Sequence, residues 1–224
     1  MGFFYKISLK CIPRGRGFLL RYFDHDVFSM ASVRASPFHG CDESIRNAIV
    51  DGNAMLRASQ NGYDWLGHGF YFWENNYERA LDFATNHPGK KLYKAPAVLG
   101  AVIDLQYSLD LMDMEYIRLV KESYDNLRTL ANMASKDLPV NKRIGNSRDL
   151  LLRELDCAVI ENLHKERILK KEKPFDSVRG LFVEGDPIYE GAGFHEKNHV
   201  QLCIRNPNCI KGFFIPREEI RWTA

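Results

Sequence analysis

The spacing of apolar positions along the chain changes several times, and each change marks an element. Ile45, Ala48 and Ile49 fall on one helical stripe behind Asp42 and ahead of Gly52-Asn53, which predicts a short helix capped by Asp42. Gly67-His68-Gly69-Phe70-Tyr71-Phe72-Trp73-Glu74 then reads as a short strand. Its glycines let a ligand or another backbone approach closely. Phe70 and Phe72 point to one side and Tyr71 and Trp73 to the other, so one side can join the core while the other offers flat faces for stacking. A strand buried on both sides is the plainer alternative. Directly behind it Asn75 stands as a cap with Glu78 three residues on, and Tyr77, Ala80, Leu81 and Ala84 line one face of a helix. Ala97–Leu105 has the length and β-branched content of a buried strand. Two further helical stripes follow, one through Ile117, Val120, Tyr124, Leu127, Ala131 and Ala134, the other through Leu151, Leu155, Ala158, Val159 and Leu163. A loop over Pro139–Ser147 separates them. The mixed-sign run Lys165–Lys173 reads as a solvated helix end. Strands return over Val178–Val183, Val200–Ile204 and Gly212–Ile215. Together these elements predict an α+β fold. Residues 1–29 have no clear period and are broken by Pro13–Gly17, so they read as an N-terminal extension or peripheral hairpin. Residues 30–224 read as one domain.

Composition narrows the picture without steering it. A hydrophobic share of 45% and a charged share of 27% fit an ordinary globular protein. The net charge of +2 gives no overall field toward nucleic acid or membrane. No apolar run reaches the roughly 20 residues of a membrane helix, and the start lacks a signal peptide, so a cytoplasmic protein with no membrane partner is expected. The five cysteines are odd in number and form no C-x-x-C pair. That favours a reducing compartment over disulfides or a cysteine zinc site. His195 and His199 are four apart, but glycines flank them, and no metal is expected.

Three separated segments occur in order: His39-Gly40, Gly67-His68-Gly69-Phe70-Tyr71-Phe72, and Gln201-Leu202-Cys203-Ile204-Arg205-Asn206-Pro207-Asn208-Cys209-Ile210. This series resembles the ADP-ribosyltransferase fold of the poly(ADP-ribose) polymerase branch. Order of elements matches over residues 31–216, with identity confined to the three motifs. The resemblance implies a split mixed β-sheet core with flanking helices, and NAD as co-substrate. It implies that His39 hydrogen-bonds the adenine-side ribose, that the backbone of Gly40 grips the nicotinamide carboxamide, and that Tyr71 stacks on the nicotinamide. Gln201 would stand beside the nicotinamide ribose, and Tyr63 and Phe70 would complete the NAD-binding set. Cleaving the N-glycosidic bond passes through an oxocarbenium-like state, for which rigid positioning and an aromatic clamp matter more than a nucleophile.

One position departs from the pattern. Where the polymerases carry Glu, this chain has Gln201, which cannot act as a base but can hydrogen-bond a hydroxyl. The implied product is a single ADP-ribose on a protein or nucleic-acid acceptor. A base would come from the polar, Gly-rich segment before Gln201, which in this fold faces the acceptor. That segment holds Glu190, His195, Glu196 and His199, with Glu196 as first choice. Asp64 and Glu74 flank the aromatic strand and are further carboxylates able to orient a ribose. The expected enzyme is a small toxin-like or defence transferase, with an antitoxin as a conceivable partner. A non-catalytic ADP-ribose-binding module and an NAD glycohydrolase are the alternatives.

Overall fold

A computed structural model describes residues 36–86, 93–145 and 148–217. The expected N-terminal extension, residues 1–29, lies outside the described residues. In chain order the elements are β1 (Pro37–Asp42), α1 (Glu43–Val50), β2 (Phe70–Glu74), α2 (Tyr77–Asn86), β3 (Pro96–Ile103), β4 (Ser108–Asp110), α3 (Met114–Met133), α4 (Glu154–Leu169), β5 (Ser177–Phe182), β6 (His199–Ile204), a 3-10 turn (Pro207–Cys209) and β7 (Ile210–Phe214). The strands form one mixed sheet in the order β4-β5-β6-β2-β1-β3-β7. The fold is α+β. Every neighbouring pair is antiparallel except β4 and β5.

Local chemistry explains the helix ends. Asp42 accepts from Ser44 N and starts α1, and Asp113 accepts from Glu115 N and starts α3, each satisfying an orphan donor of the first turn. The cap of α2 corrects the sequence expectation. Asn76, not Asn75, accepts from Arg79 N. Asn75 takes a positive φ of 52°, and its side-chain oxygen instead accepts from Ser36 N, tying α2's entry to the start of β1. Helix α4 has no side-chain cap of its own. Asn141, from the preceding loop, accepts from Leu155 N and Asp156 N.

The sheet is covered on both faces. On one face α1 closes over Cys41, Ile49 and Leu99, continuous with a cluster of Phe72, Ala101, Ile103, Leu202 and Ile204. On the other, α2 packs on Phe38, Trp73 and Val98, and α4 packs on Leu66, Val178 and Cys203. Helix α3 lies outside α4, with Tyr116, Leu119 and Val120 reaching the same cluster.

The ladder between β1 and β2 is short. Registered pairs are Pro37↔Glu74 and Phe38↔Trp73. Yet β1 pairs with β3 through Asp42↔Pro96, and β2 pairs with β6 back to Phe70↔Ile204. Beyond Phe38 and Trp73 the central strands therefore part, and the sheet opens between His39-Gly40 and Phe70-Tyr71.

Candidate active site

The loop that delivers β2 is braced from several sides. Asp64 accepts from Asn61 N and Nδ2. Gly67 adopts a φ of +81°, in the region that favours glycine. Gly69 lies where an added Cβ would sit 2.6 Å from both Cys203 Sγ and Ile204 O, so only glycine lets this backbone run against β6. Glu161 of α4 accepts from His68 N at 2.9 Å and holds Arg205 through both carboxylate oxygens. Burial opposes the charge on Glu161, but Arg205 and the His68 amide overcome it and bring the carboxyl down to about 2.

Tyr71 belongs to this brace. Its hydroxyl donates to Gly67 O at 2.8 Å and accepts from Leu66 N at 3.0 Å, and burial raises its pKa well above the ordinary phenol value. The ring lies against the Leu66, Val178 and Cys203 cluster. Phe72 and Trp73 are fully buried on opposite faces. The expectation that one side of β2 is a free stacking surface is therefore corrected. Both sides are packed, and Tyr71 is first an anchor of the loop.

His39 sits where the strands part. Its Nδ1–H donates to Tyr71 O at 2.8 Å, across the opening. Its ring meets Phe72 edge-on at 5.8 Å, so it lies on the α1 face, whereas the phenol of Tyr71 lies on the α4 face. Burial lowers the His39 pKa, against the pull of the Tyr71 hydrogen bond. A neutral ring with Nδ1 donating leaves Nε2 as a lone-pair acceptor. Gly40 faces α2 so closely that a Cβ would stand 2.1 Å from Ala80 O.

Gln201 lies opposite Trp73 in the β2–β6 ladder and opposite Gly180 in the β5–β6 ladder. Its Oε1 accepts from Trp65 Nε1 at 2.6 Å. Around it are Phe182, stacked at 5.5 Å and 24° on His199, and Trp73, whose ring centre is 6.3 Å from that of His199. Arg79 lies over Trp73 and pairs with Glu184 at 2.6 Å. Among the described residues, Trp73 Nε1, Arg79 Nε and His199 Nε2 are buried without a hydrogen-bond partner.

The structure puts Tyr71 and Gln201 on one face of the sheet and His39 on the other. Gln201 stands at the level of Trp73, where β1 and β2 are still paired, and no described contact joins it to His39 or Tyr71. The segment before β6 behaves differently. It is an excursion tied to itself by Ile188 N to Phe194 O, Glu196 N to Asp186 O and Lys197 N to Glu184 O, while His195 Nδ1 donates to Gly185 O. Glu196 is exposed and lies against Gly185, and nothing described joins it to Gln201. His199 is not a loop residue. It begins β6, buried, with its pKa lowered by that burial against a bond to Lys197 O. Tyr63 is half-buried at the start of the braced loop, and Phe70 packs toward the Phe72 cluster.

Two open depressions lie elsewhere. One, of about 390 Å³, is lined by Tyr107, Tyr116, Arg118, Arg167 and Phe175. The other, of about 360 Å³, is lined by His68, His164, Asp176, Arg205 and Asn206. Neither touches His39 or Gln201. Among the described residues, no group of three His, Cys, Asp or Glu side chains is placed to hold a metal, and no helix is long and apolar enough to cross a membrane. The residue that sequence reading missed is Trp65. It stood within the aromatic stretch, but its bond to Gln201 spans 136 positions, and no local pattern shows such a pairing.

No protein-family model matches the chain, and no solved structure matches it. An uncharacterized protein of Methanocaldococcus jannaschii, MJ0359, is 27% identical over 202 residues, covering 81% of this chain and 87% of the archaeal one. It carries no described activity in its name, so function has to be argued from the site.

Proposed function

We propose that the chain is an NAD-dependent mono-ADP-ribosyltransferase resembling the poly(ADP-ribose) polymerase branch. It breaks the bond between nicotinamide and the ribose C1′, releases neutral nicotinamide, and joins C1′ to a nucleophilic atom of a protein or nucleic-acid acceptor. The observation that carries this reading is the parting of β1 and β2 beyond Phe38 and Trp73, with His39 on one lip; Gln201 stands one strand further on, in β6, at the level of Trp73. Strands that part leave backbone groups without strand partners across the gap, which suits the amides of a dinucleotide. His39 Nε2 is an acceptor suited to a ribose hydroxyl. Gln201 supplies a hydrogen bond at the ribose whose glycosidic bond breaks. Tyr71 shapes the wall between them and offers the nicotinamide what remains accessible of its ring. Because the Gln201 amide cannot take a proton, the acceptor's proton leaves through another base, for which Glu196 is the candidate. An exocyclic amine, which needs less help from a base than an alcohol does, suits this site best.

The test is direct. Purified protein incubated with NAD should release nicotinamide, measured chromatographically. His39→Ala and Gln201→Ala should each lower the rate at least tenfold without changing the melting temperature by more than a few degrees. Labelled NAD in lysate should give discrete bands rather than a ladder. Parent protein that neither binds NAD nor releases nicotinamide would overturn the proposal.

A further inference from the structure

Gln201 is held by a partner that can bond it in one way only. An indole N–H donates and never accepts, so the group facing Trp65 Nε1 at 2.6 Å is the carbonyl oxygen of Gln201. That leaves the amide nitrogen on the side away from Trp65. Among the described residues it has no hydrogen-bond partner, and Gln201 itself is half-buried. The indole is in turn fixed. It lies over Gly180, where a Cβ would meet it at 2.7 Å, and it meets Phe182 edge-on at 5.1 Å and 70°. Gly180 is the ladder partner of Gln201. The missing side chain at 180 is thus what lets the indole lie across β5 and reach the carboxamide beside it.

We infer that Trp65 is a positioning residue that locks the Gln201 carboxamide with its NH₂ outward, so that position 201 presents a hydrogen-bond donor on the side away from the indole. This deepens the transferase reading and rests on it for its consequence. A free carboxamide presents either end to a ligand, whereas a locked one turns its N–H to the outward side and its oxygen toward the indole. The ribose oxygen it meets must act as acceptor, so that hydroxyl's own proton points elsewhere. The site would then favour ligands with an acceptor oxygen at that point and disfavour a donor-only group.

Two measurements decide this. In ¹⁵N-labelled parent protein, the Trp65 indole N–H should exchange with solvent about tenfold more slowly than in Gln201→Ala, because the variant removes its acceptor. The Gln201 NH₂ pair, assigned by its loss in Gln201→Ala, should show a smaller separation between its two protons in Trp65→Phe. The second measurement is a double-mutant cycle on kcat/KM for nicotinamide release. Trp65→Phe should lower kcat/KM about three- to tenfold, and should lower it no further when Gln201 is already Ala. Equal indole exchange in parent and Gln201→Ala would overturn the lock, even if Trp65→Phe does not fold. Independent, multiplying effects in the cycle would overturn its role through Gln201. If the lock is present by exchange but the parent neither binds nor consumes NAD, the lock stands and the transferase reading falls.

Discussion

Glu161 is the point at which a single charge holds the site's framework, and Glu161→Gln measures it. The carboxylate joins α4 to the loop before β2, through His68 N, and to the end of β6, through Arg205. Its pKa falls from an ordinary 4.5 to about 2 in the folded state. A drop of that size corresponds to about 3 kcal/mol of stability, and solvent screening reduces this to about 2–3. Because the folded-state value is depressed, the contribution is complete above about pH 4.5 and is lost as pH falls toward about 2. Linkage with these two values puts about 2 kcal/mol of it gone by pH 3. Urea unfolding of parent and Glu161→Gln at pH 7 and at pH 3 reads this as a difference. The variant should be less stable by about 2–3 kcal/mol at pH 7, and the gap should shrink to about 1 at pH 3. The comparison is needed because His39 and His199, both held neutral by burial, lower the parent's own stability as pH falls below the ordinary histidine range. A gap of the same size at both pH values would refute the reasoning. It would mean that Glu161 acts by shape rather than by charge.

Three other outcomes follow from particular contacts. Gly40→Ala forces a Cβ to 2.1 Å from the Ala80 carbonyl, a clash with backbone that cannot rotate away, so it should cost at least about 3 kcal/mol; a parent-like melting temperature would contradict it. Tyr71→Phe strips the partner from Leu66 N and Gly67 O and should cost about 1–3 kcal/mol in urea unfolding, while an unchanged midpoint would show that the loop holds without it. In the excursion before β6, Glu196→Ala should leave stability and NAD affinity within error and lower transfer to acceptor several-fold, shifting turnover toward water. Unchanged transfer would leave Glu196 a solubilising charge and place the base elsewhere.

Much of the fold is local chemistry, and the sequence determined that part. Asp42 beside Ser44 is a cap wherever a helix follows, and the stripe through Leu155, Val159 and Leu163 has nowhere to hide apolar area except on one side of a helix. The α3 stripe was less well placed, since Ile117 stays exposed and Tyr116, Leu119 and Val120 make the contact. The β-branched run near Val98 can only be a buried strand, and the glycines of the β2 loop announced a close approach that Gly69 makes against Cys203 and Ile204. What tertiary structure decided are the features that join distant segments. Asn75 or Asn76 could each cap α2; the choice falls to Asn76 because Asn75 is taken by Ser36, 39 positions away. The parallel pairing of the three-residue β4 with β5 exists only once α3 and α4 have carried the chain back. Alternation along β2 assigned Tyr71 and Phe72 to opposite sides correctly, but it could not tell that α4 and α1 would cover both. Likewise Gln201 could be singled out as a candidate from the sequence, whereas its orientation could not. That depends on an indole arriving across Gly180 from 136 residues away, and periodicity carries no information about which strand edge or ring a side chain finally meets.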